Sequence, residues 1–433
     1  MSAELLVIGG GQAAAQLIEV ARQEGFAGSI TLVSEEPTLP YQRPPLSKQF
    51  LAGGHTAEWL LYRPADFYSK HAVDVRLGRR VQEIDRARCS VHLDDGSSLQ
   101  FDRLALTVGA RARRLEVDCD AHDSLFYIRT LADVQGLRPR LQSPRRIVII
   151  GGGFIGLEAA AVLVQLGHTI TLLAAGAEVI PRIATTDISG FLVARHRQHG
   201  VNILLGTTVT ALRRRHDGSV AVETDTGAAH IADLVIAGIG AVPNVELAAS
   251  AGLACDNGIV VDTFARTSDP DIVAAGDCTN HPNALLGANL RLETVHNAVE
   301  QGRTAGATIA GKELPYVQAP WVWSDQYGLR MQSVGVLDGF NRTVLRGDPA
   351  RSSFSIFYYR DDTLLAASTI NQPLVFGAVR RALNHRVALS PQDAADPRFD
   401  LAAFAKNPPQ LNFDVPWPTR YEQQQRALAW GHA

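Results

Sequence analysis

The sequence predicts an α/β chain with two nested parallel-sheet domains followed by a C-terminal α+β domain. Three observations predict it. Residues 5–35 read as strand, glycine-rich turn, helix and strand, and residues 146–174 repeat that order. A β-α-β unit of this size requires a parallel sheet with a right-handed crossover. From about Pro320 the chain becomes aromatic and alternating (WVWSDQY, FSIFYY, LLAAST), which is the pattern of antiparallel strands.

The first unit runs LLVI, GGGQAA, a helix to about Glu24, then SITLV ending at Ser34-Glu35. Gly9-x-Gly11-x-x-Ala14 supplies a tight turn, a close backbone approach to a pyrophosphate, and a small residue where helix meets strand. The helix start offers oriented N–H groups and partial positive charge to phosphate. Glu35 closes the second strand, where a carboxylate accepts ribose hydroxyls; a solvated surface acid is the plainer reading. The second unit runs RIVII, GGGFIG, LEAAAVLVQLG and TITLL, with Gly151-x-Gly153-x-x-Gly156 in the same context. Both units are thus Rossmann-like and dinucleotide-binding. The second lacks its acid: Ala174 stands there, flanked by Leu173 and Ala175, and no Arg falls between Ala174 and Ile180. NADH versus NADPH preference is therefore poorly encoded.

The nesting follows from what comes after. LVIAGIGAVPN (234–244) ends a strand in a Gly/Pro loop, IVAAGDCTN (272–280) is a buried strand ending at Gly276-Asp277, and 294–311 reads as a helix. Two helical pieces, around 375–385 and 391–404, follow the antiparallel strands, and the last 25 residues read as a tail rich in Pro, Gln and aromatics.

Composition excludes several functions. The 433 residues carry 41 Lys+Arg against 44 Asp+Glu, a formal net charge of −3, which argues against nucleic acid as a partner. Cys89, Cys119, Cys255 and Cys278 include no C-x-x-C and no cluster- or zinc-type spacing, so redox chemistry must use a bound cofactor. No metal site is expected. Few cysteines fit a reducing cytoplasm. The longest apolar run, Ile147 to Gly167, holds three glycines, Glu158 and Gln165, so it reads as strand plus helix and no membrane partner is expected. No signal peptide is visible.

PYQRPPLSK (40–48), GGGFIGLE (151–158), GIGAVPN (238–244), AAGDC (274–278) and PWVWSDQY (320–327) together resemble one family. It is the FAD-dependent, NAD(P)H-oxidising ferredoxin reductases of bacterial cytochrome P-450 and aromatic-ring dioxygenase systems, the rhodocoxin, putidaredoxin and biphenyl-dioxygenase reductase group. The resemblance spans about residues 4–405 and implies a glutathione-reductase-like architecture. Its FAD-binding domain would comprise 1–110 with 244–319, its NAD(P)H-binding domain 111–243, its C-terminal α+β domain 320–405, and its tail 406–433.

The resemblance also implies roles. Glu35 would hold the FAD ribose; Gly9, Gly11 and Ala14 would form the turn; Ala13 and Val81 would touch FAD through backbone atoms. Arg43 and Lys48 would approach it from their loop, and Arg129 and Asp277 would meet the pyrophosphate and ribityl regions; for Asp277 a helix N-cap is the plainer reading. Val295 would face the flavin at a helix start. Gly151, Gly153, Ile155, Gly156, Ala174 and Gly240 would line the NADH (or NADPH) site. Lys48 and Glu158 would pair beside the flavin as catalytic residues; Glu158 in the first turn of its helix could instead be a surface dipole partner. Trp323, with Trp321, would stand near the flavin edge, or form interface core. Arg291, Arg330, Arg380, Arg381 and Arg386 would offer a basic surface to an acidic iron–sulfur ferredoxin, or be scattered solvated arginines. The chain would be a monomer or homodimer. Departures from the family pattern are Ala174, Val108 after Thr107, His296 after Glu293-Thr294-Val295, and the extra 411–433.

The implied function is electron transfer from NAD(P)H through FAD to ferredoxin. The alternatives are a flavoenzyme with a small-molecule acceptor, like NADH oxidase or monodehydroascorbate reductase, and a redox-sensing interaction protein like apoptosis-inducing factor.

Overall fold

The structure is a computed structural model that describes residues 3–406 except 284 and 286. The expected 406–433 tail, apart from Lys406, lies outside the described residues.

Two five-stranded parallel sheets organise the first three-quarters of the chain. The first runs, edge to edge, Ile272–Ala274, Arg103–Leu106, Glu4–Ile8, Ser29–Ser34, Val73–Leu77. The second runs Leu125–Tyr127, Leu234–Ala237, Arg146–Ile150, Thr169–Ala174, Asn202–Leu205. Each places its glycine-turn strand at the centre, buried on both faces, as the uninterrupted apolar runs LLVI and IVII require. The outermost strand of the second sheet precedes that sheet's glycine turn. The outermost strand of the first sheet arrives only after the whole second sheet has been made, pairing at Ile272↔Leu104 to Ala274↔Leu106. The first sheet is thus completed around an insertion.

Helix Gln12–Gln23 follows the first turn and helix Phe154–Gln165 the second. A long helix, Val295–Ile309, lies across Gln12–Gln23. Gly302 and Gly306 allow that closeness: a Cβ at either would stand 2.7 Å from the Ala13 carbonyl oxygen or 2.5 Å from that of Leu17.

The C-terminal region is an antiparallel sheet in the order Trp321–Gln326, Leu329–Gly335, Thr363–Ile370, Ser353–Arg360, Arg342–Asp348. Strand alternation divides its core. Phe354, Ile356 and Tyr358 pack towards Ile188 and Leu192 of the second sheet's domain, while Phe357 and Tyr359 pack under helix Pro373–Asn384. The single helix expected over 391–404 is two, Pro391–Ala395 and Leu401–Lys406. Pro397 explains the break, because it drives Asp396 out of the helical region to ψ 112.

Among the described residues no helix is long and apolar enough to cross a membrane and no cluster of ligating side chains suits a metal ion. All four cysteines are free.

Candidate functional site

Both glycine turns are built by close backbone approach. Gly9 has φ 105, and a Cβ there would stand 2.4 Å from the Thr107 carbonyl oxygen; Gly151 has φ 114, with the Gly238 oxygen at 2.3 Å. Only glycine fits either place. Gly11 and Gly153, the residues before each helix, are different. A Cβ on Gly11 meets nothing within 4 Å, and one on Gly153 meets only the Gly238 oxygen at 3.9 Å. That open space in front of a helix N-terminus is where a phosphate group approaches, so both turns fit a dinucleotide. Ala14 is fully buried between helix and sheet, and Gly156 does the same for the second unit, where a Cβ would fall 2.1 Å from the Gly151 oxygen. Ala13 is buried beside Gly276. Ile155 stays 37% exposed at the mouth of the second turn, 3.9 Å from where a Cβ on Gly238 would stand, and Gly240 is exposed.

Glu35 directly follows its strand and is exposed, 3.8 Å from Arg80. Its neighbour Glu36 is the tied acid: it accepts from Tyr41 Oη at 2.5 Å and from Arg43 Nη2 at 2.5 Å. Arg43 also donates to the Arg129 carbonyl at 2.8 Å, and Arg129 Nη2 donates to Asp277 Oδ2 at 2.8 Å. Arg43, Arg129 and Asp277 therefore form one connected group, anchored through Glu36 and Tyr41. No helix starts at Asp277, so its carboxylate is not an N-cap. Val81 is buried at the start of strand Val81–Asp85, and Val295 is the first residue of helix Val295–Ile309, capped by Thr294. Gln301 of that helix accepts from Gly276 N at 2.8 Å and Thr279 Oγ1 at 2.7 Å, pinning the Asp277 turn.

The register corrects Ala174. Ile8 pairs with Val33 and Ile150 with Leu173, so Ala174 corresponds to Ser34, and Ala175 corresponds to Glu35. Side-chain surroundings agree: a Cβ on Gly10 would meet Ser34, and one on Gly152 would meet Ala174. The helix-to-strand connection is shorter in the second unit, 166–168 against 24–28, which displaces the count from the glycines. Ala174 is buried packing; Ala175, exposed, is the position where the acid is missing.

Lys48 and Glu158 meet, with Nζ 2.6 Å from Oε2 and side chains 11% and 4% exposed. Glu158 lies one turn past the helix start and is buried, so it is no surface dipole partner. Two serines complete its shell: Ser47 Oγ donates to Oε2 at 2.5 Å and Ser324 Oγ to Oε1 at 2.7 Å. Neither stood out in the sequence, although both lie inside the quoted PPLSK and WSDQ stretches. A buried ion pair is stable only when its remaining lone pairs are met in this way. The pair stands where the PPLS turn, the second cradle helix and the C-terminal strand converge.

Trp323 is not part of that group. Alternation puts Trp321 and Trp323 on the strand face opposite Ser324. They stack obliquely with each other, centroids 5.4 Å apart, and Trp321 reaches the His296 ring at 5.3 Å beside Val295. Arg380 lies over Trp321, and Arg330, Arg381 and Arg386 are exposed. Arg291 is 2% exposed and pairs with Glu293, so it is not a docking residue.

The cysteines play no part here. Cys278, next to Asp277, is fully buried, and burial pushes its thiol up to about 12, leaving it protonated and unreactive.

Residues 3–302 match the pyridine nucleotide-disulphide oxidoreductase family and residues 321–405 the reductase C-terminal family. The chain is 39% identical over 410 residues to putidaredoxin reductase of Pseudomonas putida, covering 93% of this chain and 97% of that one. It is 39% identical over 406 residues to the ferredoxin–NAD(+) reductase component of the anthranilate 1,2-dioxygenase system of Burkholderia cepacia, covering 93% and 100%. A crystal structure of the covalent putidaredoxin reductase–putidaredoxin complex superposes with a TM-score of 0.89 at 39% identity, covering 93% of this chain and 99% of that one. The chain belongs to the pyridine nucleotide-disulphide oxidoreductase family and, within it, to the ferredoxin reductases.

Proposed function

We propose that this chain is an FAD-dependent NAD(P)H:ferredoxin oxidoreductase that passes electrons to a small iron–sulfur ferredoxin serving a cytochrome P-450 or a ring-hydroxylating dioxygenase. The observation that carries it is the buried Lys48–Glu158 pair at the junction of both cradles and the C-terminal sheet, with no reactive cysteine beside it. The relatives, a putidaredoxin reductase and a dioxygenase reductase component, support the acceptor class.

The first cradle holds FAD: Gly9, Gly11, Ala13 and Ala14 around the pyrophosphate, Glu35 at the ribose, Arg43, Arg129 and Asp277 along the middle, Val81 and Val295 at either end. The second cradle, Gly151 to Gly156 with Ile155, Ala175 and Gly240 at its mouth, binds the nicotinamide nucleotide exchangeably. The chemistry that FAD supplies when bound is hydride acceptance and single-electron release. Lys48 and Glu158 keep one fixed geometry where the cradles meet and exclude water from it, so orientation rather than proton transfer is their contribution. The start of helix Val295–Ile309 carries partial positive charge and, facing the first cradle, would favour negative charge on a group bound there. Trp321 and Trp323, with Arg330, Arg380, Arg381 and Arg386, form the face offered to an acidic ferredoxin. The four free cysteines fit a cytoplasmic location. The nested division into 1–110 with 244–319, 111–243 and 320–405 accounts for the two cradles and the docking face.

Purified protein is expected to be yellow, to bleach with NADH, and to reduce cytochrome c only when ferredoxin is added. Equal turnover with and without ferredoxin would instead favour a small-molecule acceptor, and absence of FAD would sink the reading.

A further inference from the structure

The hydrogen bonds behind Glu158 continue away from Lys48 as a single chain. Ser324 Oγ lies 2.7 Å from Glu158 Oε1, and Gln326 Nε2 lies 2.9 Å from Ser324 Oγ. Gln326 Oε1 lies 2.7 Å from His196 Nε2, and His196 Nδ1 lies 2.9 Å from Tyr327 Oη. Ser324, Gln326 and His196 are 1%, 4% and 0% exposed. Tyr327, half-buried, stacks on His199 at 3.8 Å and ends the chain near the surface.

Every direction in the chain follows from its end. Glu158, facing the Lys48 ammonium, is a carboxylate and can only accept. The one proton of Ser324 therefore points to Oε1. Ser324 Oγ must then accept from the Gln326 amide N–H, which turns the Gln326 carbonyl towards His196. A carbonyl only accepts, so His196 carries its proton on Nε2. Burial holds His196 down at about 4, so the ring is neutral and its bare Nδ1 accepts the Tyr327 hydroxyl. Four donors point the same way, and bonds so aligned polarise one another.

We infer that Tyr327, His196, Gln326 and Ser324 are positioning residues that hold the Glu158 carboxylate in one orientation, with Oε1 occupied by Ser324 so that Oε2 faces Lys48 and Ser47. His196 stands on helix Thr186–Gln198, Ser324 and Gln326 on strand Trp321–Gln326, and Glu158 on the second cradle helix. The chain thus also sets the C-terminal sheet against the second cradle beside the ion pair. Its kinetic consequence rests on the electron-transfer reading of that pair; the hydrogen-bond directions do not.

The test uses the full-length, FAD-loaded protein. Long-range proton–nitrogen NMR of ¹⁵N-histidine protein, with His196 assigned through His196→Gln, is expected to show a neutral ring protonated on Nε2. Rapid mixing with NADH is expected to show Ser324→Ala and His196→Leu reduced about tenfold more slowly at saturating NADH, with NADH affinity changed less than about twofold. His196→Gln, whose amide N–H replaces the lost donor, is expected to recover to within about threefold of the wild-type rate. A ring protonated on Nδ1 overturns the proposal. So does wild-type-like reduction of Ser324→Ala and His196→Leu with only a lower melting temperature. Should NADH reduce no form of the protein, the electron-transfer reading fails and the ring's protonation alone decides the proposal.

Discussion

Gly9 in the first cradle rests on the Thr107 carbonyl and Gly151 in the second on that of Gly238, and both following turns open towards a helix N-terminus. Beyond the turns the two diverge. The first is followed by Glu35 and Glu36, roofed by helix Val295–Ile309 at backbone contact, and lined by the anchored Arg43, Arg129 and Asp277. The second has Ala175 where Glu35 would be, an exposed Ile155 at its mouth, and a helix covered by the PPLS turn and strand Trp321–Gln326. The first turn thus ends among charged side chains held in a hydrogen-bonded group, whereas the second is lightly furnished, with the buried Glu158 of its helix committed to Lys48.

The largest expected effect separates packing glycines from ligand-facing ones. Gly156→Ala drives a Cβ into the Gly151 carbonyl and should cost about 3 kcal/mol, seen as a lower denaturant midpoint. Gly11→Ala meets nothing in the protein, so the FAD-free fold should melt as before while FAD affinity falls about a hundredfold, roughly 2.7 kcal/mol. If Gly11→Ala destabilised the FAD-free protein as Gly156→Ala does, the two positions would not differ as described.

Next is the ion pair joining the cradles. Lys48→Met leaves Glu158 buried with only its two serines and should destabilise by about 3 kcal/mol. Glu158→Gln, which keeps a hydrogen-bonding group, should cost less. Chemical unfolding of the FAD-loaded protein checks both; equal stability of all three forms would show the pair to be idle.

A smaller effect comes from histidines on both sides. Burial lowers His296, in the first turn of the first cradle's roofing helix, and His196, behind the second cradle, each to about 4. The unfolded chain, titrating near 6.5, binds more protons between these values. Stability is therefore full above about pH 6.5 and falls as pH drops towards 4, by about 1.4 kcal/mol per unit for each histidine. Melting at pH 7.5 and 5.5 should show this loss, and His296→Gln should reduce it. A melting temperature flat between those pH values would mean the rings are not held neutral.

The smallest is nucleotide choice. Ala175→Glu should raise the NADH-to-NADPH ratio of kcat/KM about tenfold, and Ala175→Arg should lower it comparably. The same changes at Ala174 should disturb packing instead, because that side chain is buried.

The sequence made the sheets, both turns and the antiparallel C-terminal strands legible, because each rests on local signals: apolar runs, glycine spacing and alternation. Position counting from the glycines was less sure. It chose Ala174 over Ala175 because the connection before the strand is shorter in the second unit. Glu36, Ser47, Ser324, Gln301 and His196 carry no local signal, because each takes its role from side chains or backbone brought to it by the fold. Arg291 has no local pattern that marks it off from a surface arginine; its burial comes from the fold.

The sequence by itself determined two dinucleotide cradles, one nested in the other, and redox chemistry without cysteine, because local chain geometry and side-chain chemistry suffice for those; Lys48 and Glu158 came only from the family resemblance. Only the tertiary structure decided that Glu158 is buried, that two serines from distant segments complete it, and that Trp323 faces away from it. Those facts depend on three segments more than 100 residues apart in the chain meeting at one carboxylate. Such meetings are set by how whole layers pack, and no local pattern encodes them.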